Sequence, residues 1–334
     1  MATVARAAAP LTVAGIAATA RLHVVTGKGG TGKTTVAAAL AMALSVGGRR
    51  TLVVEVEGRQ GLAQLFDVPA LSYKESRLAT TEGGGEVLGL SVDAEQALLE
   101  YLDMFYSLKR SARALRRMGA IDFVTTLAPG LRDILITGKL KEAVVRTRDG
   151  WPQYDAVVLD APPTGRIRLF LDSTKEVVKL TKFGPIHRQS TGVIQLLHSA
   201  QTAVHIVTLL EEMPVQETID AAHDLAAADY PLGAVIVNRM RPALVKREQV
   251  TGDGGVDVAL LKAGLKMAGV ATGLTDPLAR EMSEYAARQR EQADIADRLD
   301  SITAPRITLP ELTPPVDLGE LMELASCFLV RDVQ

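Results

Sequence analysis

The stretch Gly27-Lys28-Gly29-Gly30-Thr31-Gly32-Lys33-Thr34-Thr35 sets glycines, lysines and hydroxyls at a spacing suited to gripping a polyphosphate. Glycines let backbone N–H groups turn inward onto an anion, and a helix opening at Lys33 would add its positive end. In a loop of the form G-x-x-x-x-G-K-[ST], Lys33 is expected to bridge the β- and γ-phosphates of ATP and the Thr34 hydroxyl to hold Mg²⁺. Gly27, Gly29, Gly30, Thr31, Gly32 and Thr35 complete the expected ATP contacts. Lys28, at the head of the loop, is a second lysine that this pattern does not require.

Three more stretches carry chemistry. The run Tyr154-Asp155-Ala156-Val157-Val158-Leu159-Asp160 ends an apolar strand in a carboxylate, which places Asp160 near Mg²⁺ and its waters. Pro162-Pro163-Thr164-Gly165-Arg166 follows at once and reads as a switch segment whose backbone senses the γ-phosphate. Val54-Glu55-Val56-Glu57-Gly58 ends another strand, and Glu57, at its mouth beside a glycine, is better placed than Glu55 to polarise an attacking water. Asn238, after Val235-Ile236-Val237, offers an amide whose donor and acceptor could read the adenine edge.

These residues need a scaffold. Leu22–Thr26, Thr51–Val56, Val87–Val92, Ala156–Asp160, Val204–Thr208 and Ala234–Asn238 are short Val/Leu/Ile runs, with Ile307–Leu309 as a candidate last strand. Continuous apolar runs alternating with helical stretches predict an α/β fold with a doubly wound, mostly parallel sheet. Two regions break the alternation and predict an inserted helical subdomain. At 93–145, Leu98, Leu99, Leu102, Phe105 and Tyr106 fall at helical spacing, followed by the basic stretch Lys109 to Arg117 and a break at Pro129-Gly130. At 173–200, Val177, Val178, Leu180, Val193, Ile194, Leu196 and Leu197 repeat the pattern around Gly184-Pro185. Such helices either pack on the core or present an apolar groove. A further helical insertion is expected at 251–300, opening with Gly252-Asp253-Gly254-Gly255.

Composition narrows the field. The chain has 334 residues, 47% of them apolar, and a formal charge of −2, with no basic excess to neutralise nucleic-acid phosphates. Its single cysteine, Cys327, excludes an internal disulfide framework and a Cys-rich metal site. Residues 1–20 are alanine-rich and superficially resemble a secretory signal, but Pro10 and Gly15 interrupt the apolar run just before the phosphate loop. They are expected to form a flexible arm, with 21–334 as one nucleotide-binding domain. No stretch reaches the roughly 18 to 20 unbroken apolar residues needed to span a bilayer.

The loop GKGGTGKTT resembles the deviant phosphate loop of the ATPases that include nitrogenase iron protein, MinD, ParA and ArsA. The segment DAPPTGR is similar to the D-T-A-P-T-G-H signature of the branch holding ArsA and the ATPases that guide tail-anchored proteins to membranes. Ala128-Pro129-Gly130-Leu131, the stretch from Thr208 to Thr218, and Val237-Asn238 are consistent with it, so the resemblance runs from about Leu22 to Leu324. It implies a cytoplasmic P-loop ATPase, in some cases peripheral at the membrane, using ATP and Mg²⁺. It also implies a dimer, with itself or with a paralogous ATPase, and a hydrophobic-helix client or membrane-protein partner. In that subgroup the early lysine, here Lys28, reaches across the dimer to the partner's ATP, much as an arginine finger does.

The departures are specific. Glu57-Gly58-Arg59-Gln60 stand where the family has D-P-A-H, which keeps a carboxylate one methylene longer. Arg166 replaces a histidine. The C-x-x-C zinc pair and the arsenite-binding cysteines are absent, so no zinc site is expected, and the chain has one phosphate loop where ArsA has two fused halves. The leading expectation is a Mg²⁺-ATPase acting as a nucleotide-gated dimer that controls a helical surface. Two other readings stand beside it: a weakly hydrolysing scaffold that complexes a paralogue, and a MinD/ParA-like positioning ATPase. Against the last, Gly319 to Leu324 lack the basic residues of a membrane-surface helix.

Overall fold

The structure, a computed structural model, describes residues 20–56, 58, 60–106, 129–180, 185–246, 249–251 and 255–329. Residues 1–19 of the N-terminal arm, Glu57, Arg59, the basic stretch at 109–117 and Gly252–Gly254 lie outside the described residues.

In chain order the strands are β1 Leu22–Gly27, β2 Arg50–Glu55, β3 Ser76–Thr81, β4 Gly85–Ser91, β5 Thr147–Arg148, β6 Trp151–Pro152, β7 Ala156–Asp160, β8 Thr202–Thr208, β9 Leu232–Met240 and β10 Arg306–Pro310. The described helices are α1 Lys33–Ser45, α2 Gly61–Leu65, α3 Ala94–Tyr106, α4 Pro129–Val145, α5 Thr164–Leu180, α6 Pro185–Leu197, α7 Glu212–Ala227, α8 Val258–Met267, α9 Thr275–Asp297 and α10 Leu318–Ser326.

Eight strands form one sheet in the order β10-β9-β8-β1-β7-β2-β4-β3. All neighbours run parallel except β3, which returns antiparallel to β4 through Glu82-Gly83-Gly84. The sheet is covered on both faces, so its strands are apolar on both. In β7, Val157 and Leu159 enter the core layer shared with α4, α5, α6 and α7, while Ala156 and Val158 enter the layer shared with α1 and α10. That is the two-sided burial the continuous runs predicted, and the fold is the expected doubly wound α/β type.

Helix α1 is buried from Val36 to Ser45 and carries almost no polar face, because the sheet lies on one side and α10 on the other. In turn, α10 opens with a capping box, Asp317 with Glu320, and sinks Leu321, Leu324 and Ala325 into this layer.

Three expectations shift. The edge strand β3 was not among the sequence runs. It buries only Leu78, Ala79 and Thr81, too few for a continuous apolar run. The second helical stretch begins at Thr164 rather than near 173, so the switch segment flows straight into α5. Pro129-Gly130, read as a break, form the first turn of α4, where proline's missing N–H costs nothing. Leu135, Ile136 and Leu140 of α4, Ile167 and Phe170 of α5, and Val193 and Leu197 of α6 all lie in the core. Exposed apolar side chains gather instead at 258–274: Val258, Leu260, Met267, Val270 and Leu274.

One buried polar pair lies in the sheet itself. His23 on β1 and His205 on β8 stack with their rings almost parallel, Nδ1 of His23 3.1 Å from Nε2 of His205. The Ala234 N–H donates to His205 Nδ1 at 3.1 Å. That nitrogen is therefore bare, so the neutral His205 carries its proton on Nε2 and donates it to His23. Burial holds both rings neutral, pushing His23 down to about 4, with the Ala20 backbone opposing slightly, and His205 well below its ordinary value. The ring fits because β9 carries Gly233, where a Cβ would come within 2.4 Å of His205 Cε1.

Candidate functional site

The site gathers at the carboxyl ends of β1, β7 and β2, beside the point where strand order reverses, which is where open parallel sheets place ligands. β1 delivers Gly27, and the chain turns through Gly30 (φ 90°) and Gly32 (φ 88°) into α1. Two glycines are fixed by what lies behind them. A Cβ on Gly27 would sit 2.2 Å from the Val207 carbonyl oxygen, and one on Gly32 would sit 2.5 Å from Asn238 Nδ2. Asn238, 5% exposed, donates from Nδ2 to the Thr31 carbonyl at 2.9 Å. The structure thus brings Asn238 to the loop backbone as a buttress, a contact that no local pattern in the sequence signals.

Inside the loop, Thr31 Oγ1 donates to the Lys28 carbonyl at 2.9 Å and Lys33 Nζ donates to the same oxygen at 3.3 Å. Thr34 Oγ1 donates to Asp160 Oδ2 at 2.7 Å, so the two expected Mg²⁺ ligands are already side by side. Two hard oxygen donors, one hydroxyl and one carboxylate, suit Mg²⁺, which takes its other ligands from phosphates and water. Among the described residues no cluster of three or more His, Cys, Asp or Glu would hold a metal unaided. The donor set therefore fits Mg²⁺ bound together with a nucleotide.

The switch segment is tied to the same strand. Thr26 Oγ1 donates to the Pro162 carbonyl at 2.7 Å and Ala161 N–H to the Val25 carbonyl at 2.9 Å. The Arg166 and Ile167 N–H groups both donate to the Pro163 carbonyl, closing the first turn of α5.

After β2, the buried Glu55 is fully engaged in structure. Its Oε1 accepts from Gln60 N–H at 2.5 Å and its Oε2 from Leu62 N–H at 3.3 Å, which caps α2. Gly61 then passes so close that its Cβ would sit 3.0 Å from Thr34 Cγ2. The chain after Glu57 therefore runs directly past the Thr34–Asp160 pair, although Glu57 itself is outside the described residues.

Sequence reading missed three charged residues. Arg132 on α4 donates from Nη2 to the Val56 carbonyl at 2.8 Å, and Arg166 Nη2 lies 3.5 Å from Asp133 Oδ2. Burial pushes the Asp133 carboxyl above its ordinary range, with Arg166 and Arg132 pulling it back. With Ile136, Pro162 and Phe170 these groups line a cavity of about 220 Å³ between the end of β2 and the switch. The third is Glu217 on α7. Its Oε1 lies 2.5 Å from Lys28 Nζ, and its Oε2 accepts from Thr164 Oγ1 at 3.4 Å. Glu217 sits in the second turn of α7, where a charged side chain reads as ordinary solvated helix surface, so it does not stand out in sequence.

A doubly wound parallel sheet with a glycine loop, a Lys-Thr pair and a strand-end aspartate on that threonine defines the P-loop nucleotide hydrolases. Within that class, the chain belongs to the anion-transporting ATPase family, whose pattern matches residues 20–199. It is 54% identical to ATPase BagA of Mycobacterium tuberculosis, covering 94% of each chain. It is 28% identical to a protein of Aquifex aeolicus provisionally named arsenical pump-driving ATPase 2, over 71% of this chain and 85% of that one. Against ATPase ARSA1 of Chlamydomonas reinhardtii the identity is 26%, over 65% of this chain and 34% of that one. Kinship and names together make this chain an ArsA-family ATPase. No described helix is long and apolar enough to cross a membrane.

Proposed function

We propose that this ATPase works as a nucleotide-gated dimer, with itself or with a paralogous subunit, in which Lys28 serves the partner's ATP and hydrolysis resets a helical partner surface. One observation carries the reading. The segment expected to sense the γ-phosphate, Pro162-Pro163, is pinned to β1 by Thr26 and continues without interruption into α5, which packs on α4 and α6. Events at the phosphates therefore have a continuous covalent route into the helical layer.

In this reading the chain from 21 to 334 is one nucleotide domain with helical insertions at about 93–145, 173–200 and 251–300. The deviant phosphate loop from Gly27 to Thr35 cradles ATP and Lys33 bridges its phosphates. Thr34 and Asp160 hold Mg²⁺, which supplies charge neutralisation at the transferring phosphoryl group. Glu57 orients the attacking water from the segment that passes Thr34. Asn238 braces the loop and meets the base side of the nucleotide. Residues Pro162, Pro163, Thr164, Gly165 and Arg166 report the γ-phosphate to α5, and Arg166, through Asp133, reports it to α4. The exposed apolar side chains at 258–274 belong to the surface offered to a helical client or a membrane-protein partner.

The test is steady-state Mg²⁺-ATP hydrolysis per subunit against protein concentration, for the wild type and Lys28→Ala. The expected result is a rate that climbs with concentration and collapses in the variant. A concentration-independent rate that survives the loss of Lys28 would overturn the dimer reading. Hydrogen exchange across 95–140 and 174–200 is expected to differ between ATP- and ADP-loaded protein, and identical exchange would remove the gating.

A further inference from the structure

We infer that Glu217 is a positioning residue that holds Lys28 inside its own protomer and has to release it before that lysine can serve a second nucleotide. The inference rests on the trans role proposed above for Lys28. Its physical basis is a single carboxylate that joins three elements. Oε1 lies 2.5 Å from Lys28 Nζ at the head of the phosphate loop, and Oε2 accepts from Thr164 Oγ1, 3.4 Å away in the first turn of α5. Glu217 itself stands on α7, the helix that follows β8, whose Val207 carbonyl backs Gly27. Loop, switch and α7 are therefore clasped at one point.

The clasp and the proposed task of Lys28 compete for one charge. An ammonium already neutralised by a carboxylate brings little to a triphosphate, because attraction to the phosphate is offset by repulsion between the phosphate and the carboxylate. Release is not costly. The two side chains are 31% and 37% exposed, and exposed ion pairs hold weakly. The Thr164 bond also ties release to the protomer's own site. If Pro162–Thr164 moves toward a phosphate, the Thr164 hydroxyl leaves Glu217 and the carboxylate loses one of its two partners. A protomer that has bound its own ATP then offers its lysine more readily to the neighbour.

The consequence can be measured as an association constant. An exposed pair of this kind is worth up to about fivefold in an equilibrium, and a two-fold symmetric dimer contains it twice, giving about 25-fold as the upper bound. Glu217→Gln removes the charge and keeps the shape. It is expected to lower the protein concentration at half-maximal ATPase rate by about 5- to 25-fold, and to tighten ATP-dependent dimers by the same factor in sedimentation. Glu217→Asp keeps the charge on a shorter arm and is expected to fall between the variant and the wild type. Lys28→Ala in the Glu217→Gln background is expected to abolish the gain. A half-maximal concentration that stays put or rises in Glu217→Gln overturns the latch, provided the wild-type rate depends on concentration and on Lys28. If the wild-type rate depends on neither, the trans reading itself has failed, and the two failures are told apart by the same plots.

Discussion

The stacked pair in the sheet predicts a pH dependence of stability whose sign follows from the hydrogen-bond geometry and whose size follows from how far burial depresses His23. The Ala234 N–H fixes His205 as a donor through Nε2 and His23 as its acceptor, so protonating either ring would set N–H against N–H in a sealed site. His23 is held at about 4, while an unfolded chain carries it near 6.5. Below pH 6.5 the unfolded chain therefore takes up a proton that the folded chain refuses. Stability is complete above about 6.5 and drains away as pH falls toward 4. Between pH 7 and pH 5 the loss from His23 alone is about 2 kcal/mol, and His205, depressed in the same direction by the same burial, deepens it. Domains commonly hold about 5–15 kcal/mol in all, so the change is large enough to read in urea midpoints at the two pH values. The chain has five histidines, which makes ring-proton NMR the direct readout. The His23 and His205 resonances are expected to stay fixed from pH 8 to pH 5. If either ring titrates near 6.5 with the sheet intact, the tautomer chain is wrong, and equal urea stability at pH 7 and pH 5 would refute it independently.

Three substitutions test the site's construction. Gly32→Ala forces a side chain onto a φ of 88° and drives its Cβ into Asn238 Nδ2. About 1–3 kcal/mol of strain and a loss of nucleotide affinity of at least tenfold are expected, whereas Gly30→Ala, with nothing within 4 Å of its Cβ, should show the backbone strain alone. Fluorescent-nucleotide titration of the two variants decides it, and equal losses would remove Asn238 from the account. Glu55→Gln replaces one of two carboxylate acceptors with an NH₂ facing a backbone N–H, at a cost of about 1–3 kcal/mol in urea denaturation. A change under about 0.5 kcal/mol would mean that these amides find other partners.

What the sequence made legible were features that depend on local order. The phosphate loop and the apolar run ending in Asp160 are contiguous, and each carries its own strand, turn or helix start. The structure sets Thr34 and Asp160 2.7 Å apart although they lie 126 positions apart in the chain. β3 escaped notice because an antiparallel edge strand needs few buried side chains. The start of α5 escaped because Pro-Pro-Thr-Gly reads as a turn, while in the fold the prolines precede the first helical turn and leave no donor wasted. Arg132, Asp133 and Glu217 were illegible for a different reason. A charge on a helix reads as solvated surface, and only long-range packing brings it against a strand end or a loop lysine. The apolar stripes at 93–145, carried by Leu98 to Tyr106, and at 173–200 favoured a packed layer over a groove. Among the described side chains, Leu135, Ile136, Leu140, Val193 and Leu197 lie in the core, while Val145, Leu169 and a group at 258–274 are exposed.

Because α5 starts at the switch itself, its length has a mechanical consequence. Seventeen residues make a rod of about 25 Å, rooted just after Pro162, whose carbonyl accepts a hydrogen bond from Thr26 of the phosphate-loop strand. A tilt of about 10° at that root sweeps the far end through about 4 Å, so a displacement of less than an ångström beside the phosphates arrives at Leu180 magnified several-fold. If the switch moves with the nucleotide as proposed above, the helix acts as a lever arm with its fulcrum at the nucleotide, and the Arg166–Asp133 contact in its first turn sets how far it swings.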